Sequence, residues 1–355
     1  MTHTFIRVSD KKMKCQLCKE KDATKKNTHY LTDSIIRTNL NEDGSNKREK
    51  GAYFDMSNTN AFTEFNFQRG TSPEKIKEIL GREPTEEEIE AAKEIPFSVD
   101  DTFCPDCENI FTQIESEFIQ NVLPQITNDI AKDKEFIEVD ENELTRRFFL
   151  MQVWRSAVCT STFDISNKSK EKIRKILLEN NTDYLFDFPL SITFLETIGD
   201  KVSATQNLVG LSSDRNPNLI FMNKFIIQFY DDENKISYLE FYGLNNEDNY
   251  REYINLKEDK FKVRVLNNEH RLKYQMEMLL AEKIRPMLAN YRDNFVNIWS
   301  QLIGNNPSGE LVEEFIQYII NGDETSILKY SKEKVMNKAA KFIFLKSNTI
   351  ANRLE

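Results

Sequence analysis

The spacing of apolar residues changes along the chain and marks out two helices in its first half. Apolar side chains recur every three or four residues over 111–122, in "FTQIESEFIQNV", which predicts a helix that begins at or just after Cys107. The run "LTRRFFLMQVWRSAV" at 144–158 is apolar over most of its length. That pattern predicts a second helix, one that lies within the core.

Aromatic and β-branched residues dominate three later runs, and each run predicts strand structure. The runs are "DYLFDFPLSITFLET" (183–197), "NLIFMNKFIIQFYDD" (218–232) and "ISYLEFYGL" (236–244). The polar "DDENK" between the last two predicts a hairpin turn. Helical spacing returns from residue 269 onward, with a break at Pro286. We therefore predict an α+β fold, in which residues 140–355 form a mixed β-sheet and helix domain.

The first part of the chain is different in character. Residues 1–70 predict a loop-rich module with short strands. A helix start at Ser72 and a capping box that begins at Thr85 predict two short helices. These helices occupy an acidic insertion at 72–95, within an N-terminal unit of residues 1–125.

Charge is spread unevenly along a chain whose net charge is −10. Residues 1–72 hold 13 Lys and Arg against 9 Asp and Glu, whereas residues 73–145 hold 6 against 21. An acidic protein does not attract nucleic acid over its whole surface. The contrast between the two segments leads to the hypothesis that the acidic insertion shields a basic head.

The sequence gives no sign of a membrane or secreted protein. No apolar run approaches the roughly 20 residues that a membrane helix needs. The N-terminal stretch "MTHTFIRVSDKKMKC" lacks the apolar region of a signal peptide. We expect a cytoplasmic protein without a membrane partner. Since thiols stay reduced in the cytoplasm, its cysteine pairs are expected to bind metal rather than to form disulfides.

Four of the five cysteines form two Cys-x-x-Cys pairs, Cys15 with Cys18 and Cys104 with Cys107. This spacing lets two thiolates occupy adjacent corners of a tetrahedron around Zn²⁺. Closing the loop of 85 residues between the pairs costs about 4 kcal/mol, whereas a structural zinc site supplies roughly 10–16 kcal/mol. We therefore predict that both pairs bind one zinc ion, in the order of a treble clef: knuckle, hairpin, helix. A redox role is disfavoured, since neither pair follows a strand in a βαβ pattern.

His29 lies eleven residues after the first pair, in "NTHYLTDSII". The order "CQLC", "THYL", "FCPDCEN" resembles the HNH, or ββα-metal, nuclease superfamily. In many members a cysteine knuckle precedes a polar residue and a His, and a second pair opens the helix. The layout is most similar to that of bacterial members whose motif begins with Ser-His and ends in Cys-Glu. In those members an apolar helix with Trp-Arg often follows, and "MQVWRSAV" is similar to it. The resemblance covers about residues 13–120.

The resemblance implies a metal-dependent endonuclease that cleaves nucleic acid phosphodiesters. His29 would be the general base that takes a proton from the attacking water. Glu108, with Asn109 beside it, would hold a catalytic Mg²⁺ or Mn²⁺ distinct from the structural zinc. The family commonly has His where Glu108 stands and Asp where Thr28 stands. Its central Asn has three candidates here, Asn58, Asn60 and Asn66.

The resemblance also implies partners, namely nucleic acid, with DNA favoured, and a protein from the same bacterial defence system. In that setting the nuclease would be the effector. A second interpretation stays open: a non-catalytic zinc module that binds nucleic acid or a protein partner, in which His29 only packs near the zinc knuckle or hydrogen-bonds to it. A metal site that joins His29 to Glu108 would separate the two.

Two further features have both a functional and a structural interpretation. Trp154 and Arg155 could stack on and pair with nucleic acid. Core packing for Trp154 and an acidic partner for Arg155 are the stronger expectation. Basic residues close to His29 in sequence suit phosphate binding and are also typical of an exposed loop. They are Lys25, Lys26, Arg37, Lys47, Arg48 and Lys50.

Overall fold

A mixed β-sheet lies at the centre of the computed structural model. The model describes residues 13–37, 52–55, 65–67, 70–95, 97–128, 134–196, 208–213 and 216–351. The strands in these ranges are β1 (Thr28–His29), β2 (Ala52–Asp55), β3 (Phe65–Phe67), β4 (Ser98–Val99), β5 (Phe136–Val139), β6 (Leu190–Leu195), β7 (Leu208–Ser212), β8 (Asn218–Met222), β9 (Phe225–Phe229), β10 (Ile254–Asn255) and β11 (Phe261–Leu266).

Nine of these strands join in one sheet within the described residues, and β1 and β4 form a separate two-stranded pair. The order in the large sheet is β3-β2-β7-β8-β9-β6-β11-β5, and β10 pairs with β6. Two neighbouring pairs are parallel, β2 with β7 and β6 with β11. At the centre, Ile192 lies opposite Val263 of β11 on one side and Ile227 of β9 on the other.

The side chains of the central strands point alternately to two different hydrophobic cores, as the period of two in a strand requires. In β9, Phe225 and Ile227 belong to the first core, and Ile226 belongs to the second. In β8, Ile220 belongs to the first core and Phe221 to the second. The sheet is therefore covered on both faces.

Helices supply the two covering layers. Their bounds are α1 (Asp33–Arg37), α2 (Pro73–Leu80), α3 (Glu86–Ala91), α4 (Pro105–Glu117), α5 (Leu123–Asn128), α6 (Asn142–Cys159), α7 (Asn167–Glu179), α8 (Asn268–Leu279), α9 (Arg285–Ile303), α10 (Gly309–Ile320) and α11 (Lys332–Ala351). A π-helical segment, Phe118–Val122, joins α4 to α5, and a second, Leu280–Ile284, joins α8 to α9. This mixture of sheet and helix confirms the predicted α+β fold.

The first core fills the space between the sheet and the helices α4, α6 and α7. Helix α6 is buried along most of its length, as its apolar sequence predicts. Phe118 lies at the centre of this core. Its ring stacks on Phe148 with centroids 3.7 Å apart, and its edge contacts are to Phe149 and to Phe225 of β9. One side chain therefore joins the end of α4, helix α6 and the sheet.

The second core lies on the other face of the sheet and contains the helices α8 to α11. Aromatic rings form its centre, where Phe295 stacks on Phe315 at 4.2 Å and meets Phe342 edge-on. The insertion contacts this layer, because Arg82 Nε donates a hydrogen bond of 2.8 Å to the carbonyl oxygen of Lys329.

The two predicted units share buried contacts. The first core includes Cys15 and Phe103 from residues 1–125 as well as Val263 and Phe261 from residues 140–355. The boundary between independently folding units stays a prediction. What the structure adds is that the cysteine module packs directly on the helix layer of the sheet domain.

Local signals in the N-terminal half are confirmed at their expected positions. Helix α2 begins after Ser72, whose hydroxyl accepts from the Lys75 backbone N–H, and the capping box between Thr85 and Glu88 is present in full. Helix α4 begins at Pro105, two residues earlier than its apolar spacing indicates. The predicted core helix at 144–158 lies within α6.

The predicted hairpin at 231–235 is wrong. Residues 236–241 have no regular structure, and the hairpin turn instead lies between β8 and β9, where Asn223 has a φ of 61°. The run 236–244 is apolar because Phe241 and Leu244 fill the second core beneath the sheet. The apolar composition of residues 236–244 thus correctly predicted that the segment is buried. It wrongly predicted that the segment forms a β-strand hydrogen-bonded to its neighbours.

Replacing Phe118 by Ala should destabilise the protein severely. The change removes ring contacts to three elements and leaves a cavity, so we expect the free energy of unfolding to fall by about 3–5 kcal/mol. Urea denaturation followed by circular dichroism measures it. Phe344→Ala is the matched control, because this ring on α11 is 65% exposed and its loss should change stability by no more than about 0.5 kcal/mol. Equal effects of the two changes would contradict the central position of Phe118 in the first core.

Candidate metal centre

Four cysteine side chains converge at the junction of a loop and a helix. Cys15 and Cys18 lie on a tight knuckle, closed by hydrogen bonds from Cys15 N to Lys21 O and from Lys19 N to Cys15 O, both 2.9 Å. Cys104 is the residue that caps the N-terminus of α4, and Cys107 lies in its first turn. All four sulfurs lie within 4.8 Å of one another. Tetrahedral zinc thiolates, with Zn–S near 2.3 Å, have sulfurs about 3.8 Å apart.

The chemistry of this cysteine cluster fits a metal ion. All four cysteines are free thiols, so no disulfide accounts for their proximity. Burial raises the pKa of Cys18, but backbone N–H groups of Lys21 and Glu20 outweigh it and lower the pKa to about 7. Burial also raises the pKa of Cys104 and of Cys107. Since four thiolates this close repel one another, a bound cation would stabilise them; the cluster could hold one metal ion and is consistent with zinc.

Helix α7 supports the knuckle from outside the cluster. Arg174 Nη1 donates a hydrogen bond of 2.7 Å to the carbonyl oxygen of Leu17, between the first two cysteines. Glu171 holds Arg174 and also pairs with Lys19 at 2.7 Å. Outer contacts of this kind fix the orientation of metal ligands. The knuckle is thus attached to the helix layer of the sheet domain.

His29 lies on the short strand pair that connects the two halves of the centre. Thr28 is opposite Val99, and His29 is opposite Ser98, on the strand that leads into Cys104. The Tyr30 backbone N–H extends this pairing with a hydrogen bond of 2.8 Å to the carbonyl oxygen of Phe97. The order along the chain is therefore knuckle and β1, then α1, β2, β3 and the insertion, and finally β4 and α4. The imidazole is half-buried.

Glu108 lies in the first turn of α4, next to Cys107, and its carboxylate faces Thr28. The Thr28 hydroxyl favours the charged form of that carboxylate. The geometry between them falls outside that of an ordinary hydrogen bond, and Thr28 Oγ1 and Glu108 Oε2 are both buried. Burial raises the pKa of Glu108, with Arg155 and Lys25 opposing the shift and Glu115 adding to it. Most buried polar atoms in folded proteins have a partner, and seven other side-chain atoms of the described residues are likewise buried without an ordinary hydrogen bond.

The other predicted site residues are exposed or lie wholly or partly outside the described residues. Asn109 lies on the exposed side of α4. Among the residues the structure describes, three or more His, Cys, Asp or Glu ligands converge at the four cysteines and not at His29 and Glu108. Asn58 and Asn60 lie outside the described residues, and of Asn66 the structure describes the backbone in β3.

The basic residues near the knuckle are neutralised by carboxylates. The pairs are Lys14 with Asp22, Lys19 with Glu171, Lys21 with Asp106, and Lys26 with both Asp100 and Asp101. The described acidic residues of the insertion that form ion pairs do so within the insertion. These ion pairs therefore do not join the insertion to the basic head, and they do not support the shielding hypothesis. The predicted basic positions Lys47, Arg48, Lys50 and the side chain of Arg37 lie outside the described residues.

The structural interpretation of the Trp-Arg pair is confirmed. Trp154 is buried, and its Nε1 donates a hydrogen bond of 2.9 Å to the carbonyl oxygen of Lys170. Arg155 is 1% exposed and pairs with Glu115 at 2.6 Å. Neither side chain is available to nucleic acid.

Sequence reasoning missed three residues that join this arginine to the strand of His29. They are Thr32, Glu115 and Gln152, and Thr32 is hydrogen-bonded to each of the other two. Gln152 and Arg155 are three residues apart on α6. Two long polar side chains on one face of an otherwise apolar helix were the signal that could have revealed them.

No protein-family model, curated protein or solved structure matches this chain. Within the part of the chain that is described, helices of sufficient length and apolar character to traverse a membrane are absent.

Protein purified without added metal should contain one metal ion per chain, and the thiolate ligands make zinc the expected element. The double change Cys104→Ser, Cys107→Ser removes half of the ligands, so the metal content should fall close to zero. Elemental analysis of the purified protein measures it. Cys159→Ser is the control, since Cys159 lies outside the cluster, and it should retain the full metal content. A metal-free wild-type protein would contradict the assignment of this centre.

Proposed function

We propose that the protein is a metal-dependent endonuclease of the HNH type, with a catalytic site beside a structural zinc. The observation that carries the proposal is the buried pair of oxygens on Thr28 and Glu108, which face each other beside the strand that carries His29. Oxygen ligands of this kind suit Mg²⁺ or Mn²⁺. The order of knuckle, paired strands β1 and β4, and helix α4 supports the same proposal, because a treble clef has this order once α1, β2, β3 and the insertion between the two strands are left out.

The residues of the proposed catalytic site lie on two elements, strand β1 and the first turn of α4. His29 acts as the general base and takes a proton from the water that attacks phosphorus. Glu108 and the Thr28 hydroxyl hold the divalent ion, and Asn109 offers an amide oxygen on the exposed side of the same turn. When bound, this ion would neutralise the charge on the pentacovalent phosphorus and the leaving 3′-oxygen.

Zinc has a structural role in this proposal. With the ligands Cys15, Cys18, Cys104 and Cys107, it joins the knuckle to the start of α4. A site closed by four cysteines has no open position for substrate, as is typical of structural zinc. The zinc thereby fixes the N-terminal turn on which Glu108 lies.

The proposed substrate is DNA, and the proposed setting is the bacterial cytoplasm, where the enzyme would act as a defence effector with a protein partner. Phosphate binding needs unpaired positive charge. Among the basic side chains close to His29 that the structure describes, Lys26 is paired with acidic residues, while Lys25 is not placed in any ion pair. Lys25 is therefore the phosphate contact that the proposal assigns.

A second candidate function is a non-catalytic zinc module that binds nucleic acid or a protein partner. The observation that favours it is the neutralisation of the exposed lysines on the knuckle by neighbouring carboxylates. A second observation also favours it. Among the described side chains, only Thr28 and Glu108 bring oxygen ligands together at the proposed catalytic position. Absence of cleavage by the wild-type protein decides for this candidate.

His29→Ala should abolish cleavage, since loss of a general base typically costs roughly 10²–10⁴-fold in rate. Wild-type protein and variant are incubated with plasmid DNA, single-stranded DNA and RNA, each with Mg²⁺ or Mn²⁺, and products are separated on gels. Zinc content and the melting temperature should not change. His270→Ala is the matched control, because His270 lies in the exposed first turn of α8. Full activity of His29→Ala would place the catalytic base elsewhere.

Glu108→Ala should raise the concentration of Mg²⁺ or Mn²⁺ that gives half-maximal cleavage, because it removes the charged ligand. The metal titration is repeated with Asp106→Ala, which removes an exposed carboxylate from the same helical turn. That control should have the metal requirement of the wild-type protein. If the two variants have the same requirement, Glu108 does not bind the ion.

A further inference from the structure

A buried hydrogen-bond network connects the chain just after His29 to helices α4 and α6. Thr32 donates its backbone N–H to Gln152 Oε1 at 3.0 Å, and Gln152 Nε2 donates to Thr32 Oγ1 at 2.8 Å. The same hydroxyl donates to Glu115 Oε1 at 2.9 Å. Arg155 Nη1 also donates to Glu115 Oε1, at 2.6 Å. We refer to Thr32, Glu115, Gln152 and Arg155 as the Thr32 network.

This network holds its members in one arrangement. Gln152 uses both ends of its amide on one residue, so the backbone and the side chain of Thr32 are recognised together. Thr32 and Gln152 are buried, and Arg155 lies with its guanidinium 4.9 Å from the centre of the Phe111 ring. In such surroundings an unmade hydrogen bond is costly, so alternative positions of Thr32 are disfavoured.

The position of the network relates it to the candidate catalytic site. Thr32 is three residues after His29, and Glu115 lies on α4 two helical turns after Glu108. Strand β1 has only two residues in its pairing with β4, which by itself is a weak restraint. The network therefore supplies a second attachment that fixes β1 relative to α4.

We propose that the Thr32 network positions His29 relative to Glu108, with Gln152 and Arg155 as positioning residues supplied by α6. The proposal rests on the proposed nuclease function for its effect on catalysis. Its structural part, the placement of His29, stands on the hydrogen bonds alone. Small displacements of a reacting group, of about 1 Å, can cost about 100-fold in rate.

The test compares two changes at one position. Thr32→Val keeps the shape of the side chain and removes the hydroxyl, whereas Thr32→Ser keeps the hydroxyl. We expect single-turnover cleavage of a labelled DNA duplex to fall about 100-fold in Thr32→Val and to stay within a few-fold of wild type in Thr32→Ser. Both rates are measured at saturating Mg²⁺ and well below the melting temperature of either variant.

A second measurement does not depend on activity. The chain has three histidines, so the imidazole signals of His29 are assigned in ¹⁵N-labelled protein by their loss in His29→Ala. Thr32→Val should shift these signals and leave those of His270 in place, whereas Thr32→Ser should reproduce the wild-type spectrum. A purely stabilising role would lower the melting temperature without moving the His29 signals. If Thr32→Val does not fold, Gln152→Met provides the same comparison with Thr32 intact.

The outcomes separate the two proposals. A wild-type protein that cuts no nucleic acid overturns the nuclease function, and the His29 signals then still decide whether the network positions this residue. Unshifted His29 signals and an unchanged rate in Thr32→Val would overturn the positioning role. So would equal losses in Thr32→Val and Thr32→Ser, because the hydroxyl would then be irrelevant.

Discussion

The meeting of four cysteines across 85 intervening residues is the constraint on which the N-terminal half depends. The knuckle supplies two ligands, and the start of α4 supplies the other two. Their convergence brings β4 beside β1, because β4 ends only five residues before Cys104. It also closes a loop that would otherwise cost about 4 kcal/mol in chain entropy. With a metal ion bound, the ends of this loop are fixed, so the residues within the loop need not hold them together.

The cysteine cluster is continuous with the first hydrophobic core. Helix α4 begins at the cluster and carries Phe111, Ile114 and, in its π-helical continuation, Phe118 toward the sheet. Helix α7 approaches from the other side and holds the knuckle through Arg174. Displacement of the knuckle would therefore also displace side chains packed against the sheet. Metal binding and folding of the sheet domain are expected to be coupled for this reason.

Local signals predicted the parts of this architecture that depend on neighbouring residues. The spacing within each cysteine pair, the cap at Ser72 and the apolar face of α4 act over a few residues, and all three are present as predicted. The strand assigned to 236–244 failed, since apolar composition does not distinguish a ladder from irregular chain buried beneath a sheet. The contact between Thr28 and Glu108 could not be predicted from the sequence either. The two residues are 80 positions apart, and only the fold brings them together.

Arg146 and Arg174 bind irregular backbone directly, whereas Arg155 binds it through a carboxylate. Arg146 donates to the carbonyl oxygens of Phe188 and Leu256, and Arg174 donates to that of Leu17. Arg155 instead binds a carboxylate, Glu115, which accepts from Thr32 in the turn after β1. A buried ion pair contributes little net stability compared with well-packed apolar side chains. What it does contribute is a single geometry for the turn, and this turn follows the strand that carries His29. The proposed positioning of His29 gives the polar groups buried between β1, α4 and α6 a role other than stability.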